Sequence, residues 1–202
     1  MNKNRLEAIS DGIFAIVMTL LILDVRLPNE LSNSENFSLW PNLILIKSKI
    51  IAFVFSFFII STCVIGHHFI LSLVKKVDGV LLIQNFLLLL IVTFIPFPTS
   101  ILAEHPENYD SLIFYTVIVI MVGLFHTIML WRIYKFDNLR IDGISKVSAK
   151  KYFNRNLWST LALLIAIAIG YYNVQFGFLI LVIIPIFLSI ERILSEKKKH
   201  TN

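Results

Sequence analysis

The chain has 202 residues, of which 57% are hydrophobic and 15% are charged, and its formal net charge is +5. A soluble domain carries about 25% charged residues, so this composition indicates a membrane protein and excludes most soluble classes. In such a protein the positive charge reflects topology rather than nucleic-acid binding, so membrane lipid is an expected partner and nucleic acid is not. The single cysteine, Cys63, excludes an intrachain disulfide and any CxxC motif.

The first apolar segment, Arg5 to Arg26, has an uncharged core of only 12 residues, Gly12 to Leu23. A lipid-exposed helix needs about 20 apolar residues to cross the hydrocarbon layer. The segment therefore spans the membrane only if Asp11 or Asp24 lies at membrane depth. A carboxylate at that depth must face other protein or water. We interpret this segment as an inner helix of a bundle, retained in the mature protein rather than removed as a signal peptide.

Helical spacing divides this first segment into two faces. At 100° per residue, Ile16, Leu20 and Leu23 share one stripe, and Thr19 lies beside it. Ser10 and Asp11 fall on the opposite side. Taken alone, the stripe favours ordinary core packing, because a buried helix shows the same pattern.

Five further apolar segments follow, so the expected fold is an all-α integral membrane protein with one domain over residues 1–202. The six predicted transmembrane helices are 5–26, 49–73, 79–102, 111–131, 157–172 and 176–190. Two prolines near the end of the third, Pro96 and Pro98, predict a break or kink there. A short amphipathic helix is expected near Trp40, in the loop from Pro28 to Ile46.

The basic residues predict the orientation. With six spans, both termini and 15 of the 18 lysines and arginines fall on one side. The positive-inside rule places that side in the cytoplasm, so a plasma-membrane protein with cytoplasmic termini is expected. The basic segment from Lys135 to Arg155 is predicted to be partly helical and close to anionic lipid headgroups.

Polar residues predict a layer within the membrane on the cytoplasmic side. It comprises Ser10, Asp11, His67, His68, Gln84 and Asn85. Asp11 is expected to accept a hydrogen bond from His67 or Asn85, because unpaired polar groups are costly in hydrocarbon. The favoured interpretation is structural: these polar contacts hold the first helix against the second and third. A proton-sensitive site is the alternative, and a metal site with Cys63 has weak support.

Signatures of catalysis are missing from the sequence. It contains no HExxH, no GxSxG and no glycine-rich phosphate loop, and the TVGYG potassium filter is also missing. We therefore expect no catalytic residues, no metal and no cofactor.

The order of these motifs resembles the lysosomal potassium channel family in its prokaryotic six-helix form. Arg5, then Ser10 and Asp11, match its RxxxFSD signature, with Ile9 in place of the aromatic residue. His67, Asp78, Asn85 and the stretch FIPFPTS follow in the family's order. The resemblance covers the first three helices. A family tryptophan is replaced by Val64, three residues before His67.

The resemblance implies a homotetramer whose central pore is lined by the first helix of each subunit. Ile16, Leu20 and Leu23 would then form an apolar constriction, and Thr19 would match a threonine linked to cation preference. The family's polar network would comprise Arg5, Ser10, Asp11, His67 and Asn85. The expected function is a potassium-preferring cation channel with a hydrophobic gate, in which potassium is the permeant ion.

Two other function classes stay open from the sequence. A proton-coupled cation transporter would use Asp11 and His67, but no inverted repeat or broken mid-membrane helix is evident. A non-conducting membrane scaffold would use the stripe on the first helix only for packing.

Overall fold

The structure, a computed structural model, describes residues 2–27 and 38–200, with side chains as far as residue 187. Within these ranges it is helical, and its one extended pairing is an isolated bridge between Val74 and Arg140. The α-helices are α1 Lys3–Leu20, α2 Leu39–Leu45, α3 Lys47–Ser72, α4 Gly79–Phe94, α5 Pro96–Glu104, α6 Tyr109–Lys135, α7 Lys146–Tyr172 and α8 Val174–His200. Two 3-10 turns, Leu21–Asp24 and Asp137–Leu139, follow α1 and α6.

The predicted all-α membrane class is confirmed. Five of the described segments are long and apolar enough to cross a membrane, namely Lys3–Asp24, Lys47–Ser72, Gly79–Glu104, Tyr109–Lys135 and Lys146–Tyr172. The sixth predicted span lies on α8, whose described apolar part is Val174–Phe187. These lengths define a multi-pass membrane protein.

Three details refine the predicted boundaries. The third span breaks between α4 and α5, where Pro96 starts α5, as the proline pattern predicted. The fifth begins at Lys146 rather than Leu157, because a polar helical extension precedes its apolar part. The predicted helix near Trp40 is α2, while residues 28–37 of that loop lie outside the described part.

Short polar side chains determine where several helices begin. Asn2, Asp78 and Ser145 each accept a hydrogen bond from a backbone N–H of the first turn of α1, α4 and α7. Such caps satisfy donors that have no partner within the helix. Asp78 also forms an ion pair with Arg132 of α6, so the start of α4 is fixed to the end of α6.

The two loops at the basic end of the bundle, Leu73–Asp78 and Phe136–Ser145, are joined to each other. The backbone N–H of Lys75 donates to the carbonyl of Leu139 at 2.7 Å, and Ile141 donates to Leu73 at 2.9 Å. The ammonium of Lys75 also binds the carboxylate of Asp142 at 2.7 Å. These bonds hold α3 and α4 against α6 and α7 at this end.

The tightest packing lies between α6, α7 and α8. A Cβ added at Gly177 of α8 would lie 2.8 Å from the carbonyl oxygen of Ala166 and 2.8 Å from the Cα of Gly170. A Cβ at Gly123 of α6 would lie 2.4 Å from the hydroxyl of Thr160. Small residues allow helices to approach closely in membranes, where packing rather than hydrophobic burial drives association.

Candidate functional site: the first helix and the polar contacts behind it

The helix α1 and the 3-10 turn Leu21–Asp24 that continues it have one buried face and one uncovered face. Their fully buried residues recur every three or four positions: Leu6, Ser10, Phe14, Val17 and Leu21. This face packs against α3 and α4. The opposite face carries the predicted constriction residues, and Ile16, Leu20 and Leu23 are 59%, 42% and 50% exposed. Within the described part of the chain, this apolar stripe is therefore left without cover.

Thr19 is a polar side chain exposed beside this stripe, whereas Asp11 is exposed about 140° around the helix from Ile16. The hydroxyl of Thr19 donates to the carbonyl oxygen of Ile16, one turn earlier, at 2.8 Å. Since the hydroxyl hydrogen is used in this bond, the remaining lone pairs of the oxygen are its outward polar feature. They suit a cation better than an anion.

Ser10 and Asn85 form the buried polar link between α1 and α4. The amide of Asn85 donates to the hydroxyl of Ser10 at 3.2 Å, and that hydroxyl donates to the carbonyl of Leu6 at 2.9 Å. Both side chains are fully buried. The structure thus brings together two of the five predicted network residues by a direct hydrogen bond.

Asp11 binds a different partner from the one predicted. Its carboxylate lies 2.9 Å from Nε2 of His68 on α3, instead of accepting from His67 or Asn85. The physical reason is helical geometry: adjacent residues project about 100° apart, so His68 reaches the rim of α1 while His67 points into the bundle. Both side chains of the Asp11–His68 pair are about half exposed, so solvent screens their attraction.

His67 contacts α1 through an aromatic ring rather than through a polar group. It is fully buried, and its ring centroid lies 5.5 Å from that of Phe14 and 5.8 Å from that of His126 on α6. Neither ring nitrogen of His67 has a hydrogen-bond partner among the described residues. The ring therefore connects α1 to α6 by packing.

Arg5, the last predicted network residue, lies apart from the others. It is exposed, and within the described residues its side chain forms no hydrogen bond or ion pair with Ser10, Asp11, His67 or Asn85. The predicted network is thus divided in the structure. Ser10 and Asn85 share a buried hydrogen bond, and Asp11 pairs with His68 at the surface. His67 contacts its neighbours through its ring, and Arg5 is exposed and apart.

Phe14 and His126 are contacts that the sequence patterns missed. Phe14 is the aromatic side chain that α1 inserts toward His67, and its position four residues after Ser10 on the buried face was the available signal. His126 had no assigned role, and the structure stacks it on His67. His126 also lines a small cavity of about 80 Å³ with Cys63, Asn156 and Thr160.

The described residues contain no group of three or more His, Cys, Asp or Glu side chains that could hold a metal ion. The weakly supported site from His67, His68 and Cys63 therefore has no counterpart there.

Taken together, these features define a multi-pass helical membrane protein whose first helix is anchored by polar contacts on one side and uncovered on the other. A family model described as the endosomal/lysosomal potassium channel TMEM175 matches residues 5–96. That range covers α1, α3 and α4, the helices that carry the polar contacts.

Individual proteins that are named as potassium channels are also similar to this chain. A potassium channel of Chamaesiphon minutus is 35% identical over 154 residues, which are 70% of this chain and 75% of the relative. A potassium channel of Streptomyces collinus is 33% identical over 150 residues, covering 70% and 71% of the two chains. The crystal structure of a lysosomal potassium-selective channel TMEM175 homolog from Chamaesiphon minutus superimposes with a TM-score of 0.81 at 28% identity, covering 94% of this chain and 97% of that one. The chain belongs to the TMEM175 family.

Proposed function

We propose that this chain is a potassium-preferring cation channel, passive and without a cofactor, with one channel domain over residues 1–202. Four copies would surround a central pore lined by α1 of each subunit. Its relatives in Chamaesiphon minutus and Streptomyces collinus are potassium channels, which supports potassium as the permeant ion. Both termini would face the cytoplasm from the plasma membrane, because 15 of the 18 basic residues lie on that side.

The uncovered face of α1 is the observation that carries this proposal. Ile16, Leu20 and Leu23 are exposed in the single chain, although the opposite face of the same helix is fully buried. Lipid is a poor cover for α1, because its uncharged core from Gly12 to Leu23 is only 12 residues long and a lipid-exposed span needs about 20. A water-containing pore between copies of α1 would satisfy the polar and the apolar groups together.

The spacing of the stripe supports a constriction of several layers. Ile16, Leu20 and Leu23 follow one another at intervals of one helical turn, so each would contribute one apolar ring in an assembly around α1. Such rings can gate conduction by excluding water. Thr19 lies beside them, and the lone pairs of its hydroxyl would favour a cation.

The contacts behind α1 would hold these rings in register. The bond between Asn85 and Ser10 and the packing of Phe14 on His67 both lie on the buried face, directly behind the stripe. Asp11 would add a weaker contact at the cytoplasmic end through its pair with His68. A helix that is fixed from behind can present a narrow ring of defined diameter.

The test of this proposal is ion flux into liposomes that contain the purified protein, with potassium compared to sodium. Replacing the ring side chain in Ile16→Asn should raise sodium flux about ten-fold, which corresponds to about 1.4 kcal/mol off the barrier. Potassium discrimination should fall with it. The matched control is Ile165→Asn, the same change at a similarly exposed isoleucine on α7, which should leave both fluxes unchanged.

Other outcomes would favour the other function classes. Flux that saturates and requires a proton gradient would indicate a transporter, and no flux at all would indicate a scaffold.

The mass of the purified complex, measured by light scattering with correction for detergent, tests the tetramer directly.

A further inference from the structure

We propose that the groove between α7 and α8 at the basic end of the bundle binds one anionic phospholipid. Its headgroup would lie on Arg155 and its acyl chain in the groove. This site does not depend on ion conduction, so the proposal can fail or succeed separately from the proposed channel function.

The groove has the shape and the lining of an acyl-chain site. It has a volume of about 380 Å³ and opens on the outer surface of the bundle. Its lining residues come from one face of α7 and the facing side of α8: Trp158, Ser159, Ala162, Ile183, Ile184 and Phe187. Arg155 is the lining residue nearest the basic start of α7, and the surface of the groove itself is apolar, so the aliphatic part of Arg155 contributes to the lining while its charge lies outside it.

The depth of this groove matches a membrane leaflet. The hydrocarbon layer takes about 20 helical residues, and counting back from Tyr172, where α7 ends, places its boundary near residue 153. Arg155 thus lies at the headgroup level and Trp158 one turn deeper. Trp158 is 70% exposed, and tryptophan prefers this interfacial depth.

Charge complementarity favours an anionic lipid over a neutral one. The helix α7 contains Lys146, Lys150, Lys151 and Arg155 in its first ten residues and no aspartate or glutamate anywhere. None of these four cations forms an ion pair with an acidic side chain in the described part of the chain. Basic pockets between transmembrane helices attract anionic headgroups.

The guanidinium of Arg155 is also held in place for this role. Its central carbon lies 5.8 Å from the ring centroid of Tyr152, one turn toward the helix start. A planar guanidinium can bind a phosphate with two parallel hydrogen bonds, which a lysine cannot do. Lys151 lies one turn before Arg155 on the same side of α7 and would add a second positive charge.

The fluorescence of Trp158 provides a test that needs no ion flux. In the full-length chain with Trp40→Phe and Trp131→Phe, Trp158 is the remaining tryptophan of the three. Its quenching is measured in vesicles with phosphatidylglycerol brominated on its acyl chains, and again with brominated phosphatidylcholine at the same mole fraction. We expect phosphatidylglycerol to be favoured about five-fold next to Trp158, the ratio that one basic side chain contributes near an anionic surface.

Two variants with matched controls separate this site from a diffuse surface charge. Arg155→Gln should abolish the preference, while Lys76→Gln, which removes an exposed charge at the same end of the bundle, should preserve it. Ala162→Phe should fill the groove and reduce the preference without any change in charge, while Ala168→Phe on another side of α7 should not.

Equal quenching by the two lipids in the otherwise unchanged protein would overturn the proposal, as would an unchanged preference in Ala162→Phe. Weak quenching by both lipids would also overturn it, because it would mean that protein covers the groove.

Discussion

The packing of α1 on the bundle differs from the packing of α7 against α6 and α8. A Cβ added at Gly12, on the exposed side of α1, would meet nothing within 4 Å, whereas one added at Gly177 of α8 would meet two backbone atoms at 2.8 Å. The helix α1 is held on one face by the apolar packing of Leu6 and Val17 together with a few polar and aromatic contacts, and its other face is open. Where α6, α7 and α8 meet, by contrast, the atoms are so close together that one added methyl carbon has no room.

This difference indicates a division of roles. Helices packed through backbone contact have little freedom to move relative to one another, so α6, α7 and α8 form a rigid support. The open face of α1 is free to meet other copies of the chain, and the polar contacts of its other face with α3 and α4 are individually weak. Changes in the rigid support should therefore affect folding, and changes on α1 should affect conduction.

The largest effect on stability is expected at Gly177. Gly177→Ala places a methyl group against the carbonyl of Ala166 and the Cα of Gly170, neither of which can rotate away. Overpacking of this kind costs about 1–3 kcal/mol, so the protein should unfold at a lower temperature and give less assembled material. Thermal unfolding in detergent, followed by size-exclusion chromatography, measures both.

The matched variant is Gly12→Ala. Nothing obstructs the added methyl, and alanine is preferred over glycine inside a helix by about 0.5–1 kcal/mol, so stability should stay equal or rise. If both variants lower the unfolding temperature equally, the contrast between the two regions is wrong.

A smaller effect is expected at the buried link between α1 and α4. Ser10→Ala leaves the amide of Asn85 without its acceptor, and hydrogen bonds between membrane helices contribute about 0.6 kcal/mol on average and up to about 1.7. A double-mutant cycle with Asn85→Ala should give a coupling energy in this range when unfolding free energies are compared. A coupling of zero would mean that this bond does not hold α1 in place.

The smallest effect is expected at the Asp11–His68 pair. Both side chains are about half exposed, so Asp11→Asn should change the unfolding free energy by less than about 1 kcal/mol. The difference from the unchanged protein should shrink further as salt is raised. A loss as large as that of Gly177→Ala would show that this pair is a principal anchor of α1.

Hydropathy and helical periodicity were sufficient to predict much of the fold. The break at Pro96 followed from the missing N–H of proline, and the two faces of α1 followed from the spacing of Ile16 and Leu20. The segment from Lys135 to Arg155 was predicted to be partly helical, but its continuity with the fifth span from Lys146 was not, because a basic extension outside the membrane has no hydropathy signal.

The partners behind α1 depended on how the helices rotate against one another. One sequence alone cannot show whether His67 or His68 faces Asp11, because two adjacent residues differ only in direction around the helix axis. The stacking of His67 on His126 joins residues from α3 and α6 that no local pattern relates. The order of the motifs along the sequence therefore predicted which helices contact α1, whereas the side chains that make the contacts depend on tertiary packing.

The most direct test of the central claim is chemical modification of the open face of α1. In a Cys63→Ala background, Leu20→Cys puts the chain's single thiol on that face, and Ile165→Cys on α7 is the control. Our account predicts that a small, positively charged methanethiosulfonate reagent reacts at position 20 and blocks potassium flux in liposomes, while the control variant keeps its flux. Modification at position 20 with undiminished flux, or no reaction from either side of the membrane, would contradict a pore lined by α1.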